Sequence, residues 1–98
     1  SADEVETILD GLQTGRFQSL MWNRDGRPVK ERYAIGDLDA LLDTLGSIAE
    51  IAQGKKLNDA QRTLFDRARR QLALETAQAL GLDEAEAQTR VDTALGRI

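Results

Sequence analysis

At 98 residues the chain is long enough for one compact domain and too short for two independent cores. Hydrophobic residues make up 41% and charged residues 31%, with only 4% aromatic, so a packed core must come from Leu, Ile, Val and Ala. The net charge of −4 argues against generic binding to nucleic acid or an anionic membrane. With neither Cys nor His present, disulfides, thiolate zinc sites and the commonest general base are excluded. A core this small supplies about 3–5 kcal/mol, so a partner or second copy is expected to add buried area.

Val5, Ile8, Leu9 and Leu12 recur at i, i+3, i+4 and i+7, which predicts a first helix over residues 3–13. Asp3, Glu4 and Glu6 suit its amino end, and Thr14-Gly15 suits its stop. Residues 16–22 then lose the helical period and hold bulky, strand-tolerant side chains. Asp25-Gly26 follows, a dipeptide that accepts positive φ at both positions, and Pro28 stands where an edge strand would begin. Val29, Glu31 and Tyr33 alternate with Lys30 and Arg32, so a hairpin with one cationic face is predicted over residues 16–34.

Gly36 or Asp37 caps a second helix, whose stripe of Leu38, Leu41, Leu42, Leu45, Ile48, Ala49 and Ala52 ends at Gly54. Asn58 or Asp59 caps a third, carrying Leu64, Phe65, Ala68, Leu72, Ala79 and Leu80 to Gly81. Asp83 with Glu86 forms a capping box for a fourth, with Ala85, Val91, Ala94, Leu95 and Ile98 on its apolar face. The expected class is α+β, predominantly helical: helix, β-hairpin, helix, then two further helices. Residues 1–98 form a single domain, with a helix–hairpin–helix unit over 1–54 and a helical extension over 55–98.

The one remaining catalytic arrangement is a carboxylate pair. Asp39 and Asp43, at i, i+4, read instead as solvated charge on one helix face, because acid–base work needs opposed groups across a cleft. Arg62, Asp66 and Arg70 form an alternating ladder at i, i+4, again a solvated face, although with Arg69 they offer contact to an acidic surface. No phosphate-loop or calcium-loop spacing occurs. Trp22, beside Met21, either covers the hairpin–helix junction or anchors a protein interface, where Trp and Arg are enriched. No apolar run approaches the ~18 residues of a membrane span, and Ser1-Ala2-Asp3-Glu4 has no leader character, so synthesis in the cytoplasm is expected.

A helix closing on Thr14-Gly15-Arg16, a turn on Asp25-Gly26-Arg27, and Gly36-Asp37-Leu38 opening the next helix follow in an order that resembles the gpW-like head–tail joining proteins of tailed phages over residues 4–50. The resemblance implies a non-enzymatic structural protein of the virion. Such a protein assembles as a homo-oligomeric ring on the portal and docks the next neck or tail protein. It implies portal and neck or tail proteins as partners, while charge, composition and the missing motifs argue for no cofactor, no metal, no specific nucleic acid and no membrane. No interface residue carries over from the family; the candidates are Arg16, Trp22, Arg24 and Arg27, which cluster at the expected hairpin, joined by Arg62, Arg69 and Arg70 of the basic run. The two extra helices depart from the family pattern and would form an arm gripping an adjacent copy. The alternative reading is a small acidic inhibitor or adaptor, of anti-defence or antitoxin type, masking a basic partner surface.

Overall fold

The serine hydroxyl at position 1 accepts the Glu4 amide at 3.3 Å while the Glu4 carboxylate returns to the Ser1 amine, a reciprocal cap that opens α1, Ala2–Thr14. The computed structural model describes residues 1–96, so Ile98 lies outside the described residues. A short 3₁₀ turn at Arg24–Gly26 leads directly into α2, Arg27–Ala34. Asp37 caps α3, Leu38–Gly54, by accepting the Ala40 amide at 2.7 Å. Asn58 with Gln61 opens α4, Asp59–Leu80, and Asp83 with Glu86 opens α5, Glu84–Ala94.

The expected α+β class is therefore corrected: among the described residues every regular element is helical and no strand occurs. The segment read as strand two is α2. Val29 is fully buried, Arg32 and Tyr33 are half-buried, and Glu31 is exposed, which is the i, i+3, i+4 pattern of a helix and not the alternation of a strand. Pro28 decides it locally. In the first helical turn the missing amide costs nothing and the fixed φ is already helical. Without a second strand, residues 16–22 have nothing to pair with in a ladder.

α3 is the centre of the molecule. Nine consecutive residues, Ala40 to Ile48, are buried, so this helix is enclosed on all sides and not along one stripe. α1, α2 and α4 each pack on it. The last two helices do not project. α5 packs on both α4 and α1, Arg90 pairs with Glu6, and Val91 and Ala94 join a core contributed by all five helices. The radius of gyration, 12.5 Å, is that of a closed domain of this length. The Tyr33 hydroxyl meets Gln71, which ties the end of α2 to the middle of α4.

Candidate functional site

α1 ends at Gly15, whose φ of 77° is the left-handed stop glycine allows. Residues 16–23 then cross the molecule as a strap with no regular backbone pairing. Backbone polar groups held against a protein surface need partners, and α3 provides them from side chains at i, i+4 and i+7. The Gln18 amide donates to Asp43 Oδ1 at 2.9 Å and the Leu20 amide donates to Ser47 Oγ at 2.9 Å. The Ser19 hydroxyl meets the Glu50 carboxylate. Phe17 lies flat over Gly46, where an added Cβ would stand 2.5 Å from the ring, so only glycine lets the strap come this close. Phe17, Leu20 and Trp22 pack half-buried against the core.

At the end of the strap the chain reverses through three left-handed residues in succession: Arg24 (φ 50°), Asp25 (φ 58°) and Gly26 (φ 82°). The Asp-Gly signal for positive φ is thus present, but it feeds a helix. The Asn23 carbonyl accepts both the Gly26 and the Arg27 amides, at 2.9 and 3.2 Å. Gly26 is buried directly beneath Trp22, its missing Cβ only 2.4 Å from the indole, and Lys30 Nζ stands 5.9 Å from the ring centroid. Gly26→Ala is expected to destabilise the protein by about 2–4 kcal/mol, since it adds left-handed strain to a steric collision. Thermal melting followed by circular dichroism and Trp22 fluorescence would show a lower Tm and a displaced ring. An unchanged melt would show that the indole does not rest on this turn.

Positive charge gathers along the strap and α2. Residues 16–34 hold five basic and two acidic side chains, net +3, leaving −7 on the rest of a chain whose total is −4. Arg24, Arg27 and Lys30 are exposed. Arg27 approaches Glu31 at 3.9 Å with both side chains about two-thirds exposed, a pair too solvated to tie down the cation. The predicted cationic face is split, because positions two apart share a strand face but lie about 200° apart on a helix. Lys30 points outward over Trp22, whereas Arg32 turns inward to Asp43 Oδ2 at 2.9 Å. Asp43, expected to be solvated beside Asp39, is only 5% exposed; Asp39 alone lies at the surface.

Of the seven candidate residues, Trp22, Arg24 and Arg27 meet at the corner. Arg16 sits at the other end of the strap, paired with Asp10 at the close of α1. Arg62, Arg69 and Arg70 lie on α4. Arg62 donates to the Leu57 carbonyl at 3.3 Å and Arg70 is exposed. Arg69 is drawn onto α5 by both oxygens of Asp92, and that hydrogen bond holds its guanidinium above the ordinary arginine range. Lys30, Arg32 and Asp43 were missed as site residues. Their signal was the helical spacing of 29, 32 and 33, and one acid inside the Leu41–Leu42–Leu45 stripe.

Away from the corner, a concavity of about 720 Å³ opens beside Asp3, Glu4, Asp37, Asp39 and Glu75. Among the described residues no group of acids is placed to hold a metal ion, and no helix is long and apolar enough to cross a membrane.

A family model described as "CarD, C-terminal domain" matches residues 4–92. No curated protein and no solved structure matches the chain. The match overturns the phage resemblance, which covered only residues 4–50 and rested on a hairpin that the fold replaces with α2. Thr14-Gly15, Asp25-Gly26 and Asp37-Leu38 are real local signals, a helix stop, a left-handed turn and a helix cap, and each serves a five-helix fold equally well. The portal, neck and tail partners, the homo-oligomeric ring and the virion location fall with the resemblance, and nothing in the match favours the acidic inhibitor. The all-helical fold and a match over nearly the whole length agree: the chain belongs to the CarD C-terminal domain family.

Proposed function

We propose that this chain serves a transcription-associated protein as a module that contacts DNA beside RNA polymerase, through the corner formed by the strap, the left-handed turn and α2. Membership of the CarD C-terminal domain family supports the transcriptional setting and turns the partners from phage proteins to polymerase and DNA. The observation that carries the DNA contact is that three exposed cations, Arg24, Arg27 and Lys30, gather within seven residues of a chain whose net charge is −4. Lys30 stands over the half-buried Trp22, and exposed Arg24 and Arg27 lie on either side of Gly26, the residue beneath the indole, so cations that neutralise phosphate stand near an aromatic surface that meets sugar or base. Net charge governs long-range approach, but a local patch governs contact, and the low overall charge does not forbid it. In this reading the module acts by binding, as a single folding unit, and catalyses no reaction.

The test is binding of the intact chain to duplex DNA across a salt series, followed by anisotropy of a labelled duplex. Three free cations predict a plot of log K against log salt with a slope of about −2 to −3. Trp22 emission should change on binding. Absence of binding at low salt, or binding indifferent to salt, would remove the basic corner as a DNA contact.

A further inference from the structure

The central helix carries a charged group where the surrounding packing is otherwise closed. Asp43 is 5% exposed in the middle of the buried run of α3, between Leu42 and Thr44, and taking a carboxylate out of water there is costly unless both oxygens are occupied. Both are. Oδ1 accepts the Gln18 amide at 2.9 Å and Oδ2 accepts Arg32 Nε at 2.9 Å. Gln18 lies on the strap four residues before Trp22, and Arg32 lies on α2 two residues beyond Lys30, the cation over the Trp22 ring. Ser47 and Glu50 hold the strap alone. Asp43 grips the chain on both sides of Trp22.

We infer that Asp43 is a positioning residue that fixes Trp22 relative to the cations of α2, by closing the segment from Gln18 to Arg32 onto the central helix. It acts through the two stretches it holds. A carboxylate is required because each of its ends accepts. An asparagine amide accepts at one end and donates at the other, so in either orientation it opposes a donor to the Gln18 amide or to Arg32. The functional consequence rests on the reading of the corner as a DNA contact; the positional one does not.

The experiment compares the full-length chain with Asp43→Asn and with the double variant Asp43→Asn/Arg32→Gln. Glutamine places its amide oxygen as many bonds from the backbone as the Nε of arginine. The double variant therefore restores a complementary pair, without charge, while the Gln18 bond persists. Trp22 is the chain's one tryptophan, so emission and acrylamide quenching report its position alone. Asp43→Asn should keep the helical circular dichroism, shift Trp22 emission to the red with stronger quenching, and weaken duplex affinity about ten-fold. The double variant should return emission and quenching toward the parent values.

Unchanged emission in Asp43→Asn, or failure of the double variant to restore it, would overturn the assignment. Loss of the helical signal in both variants would overturn it too, since Asp43 would then be holding the bundle and not the strap. If the parent chain fails to bind duplex, the reading of the corner fails while the emission comparison still decides the role of Asp43.

Discussion

Leu45→Asp is expected to leave the chain unfolded at neutral pH. Leu45 has no exposed surface and lies midway along α3, on which α1, α2 and α4 all pack. The substitution forfeits about 2–3 kcal/mol of leucine burial and sets an unpaired carboxylate in the core at a further cost of several kcal/mol. A domain of this length has about 5–15 kcal/mol of total stability, with a thin aliphatic core placing it toward the lower end. The sum of the two costs reaches that margin. Far-UV circular dichroism should show loss of helix without any cooperative urea transition. Leu74→Asp is the matched comparison: Leu74 is 47% exposed on α4, so its Tm should stay near the parent value. A cooperatively folded Leu45→Asp protein would show that α3 is not enclosed.

Reversing Arg24, Arg27 and Lys30 to Glu together should reduce duplex affinity about a hundred-fold or more, because three phosphate contacts are lost and three repulsions replace them. The net charge of residues 16–34 goes from +3 to −3. All three side chains are exposed, and among the described residues the ion pair broken is the solvated one between Arg27 and Glu31, so the melt should barely change. Anisotropy titration at fixed salt, with circular dichroism as the check on folding, measures both. Arg70→Glu on α4 is the comparison within the same protein. An equal loss there would mean that overall charge, and not the corner, governs binding.

The helices with long apolar stripes were legible from residues alone. α1, α3 and α4 lie close to their expected ranges and α5 opens at its expected cap, although Ala87 and not Ala85 is buried on it, because caps such as Asp83–Glu86 and stops such as Gly81 act within a few residues of themselves. The segment between 16 and 34 was not, for two different physical reasons. Residues 29–34 are too few to separate a period of 2 from one of 3.6, and Val29 and Tyr33 satisfy both. Pro28 carried the missing information, as a helix-opening residue and not an edge-strand marker. The strap fails for the opposite reason. Its middle is held from far along the chain, since the groups that satisfy Gln18 and Leu20 come from Asp43 and Ser47, more than twenty residues on. Trp22, Arg24 and Arg27 were singled out while their setting was misread. Asp43 was assigned to solvent because a carboxylate's burial depends on what packs over it, which spacing along one helix does not reveal.

The run of left-handed residues from Arg24 to Gly26 has a consequence for recognition. Two of them are not glycine, and each gives up about 1–2 kcal/mol of backbone comfort to stay there. That cost is met during folding, by the packing of Trp22 and Val29, before any partner arrives. The hook is therefore preorganised: little chain entropy remains to be surrendered at the moment of contact, so three cations and one indole hold more tightly than the same groups on a pliant loop.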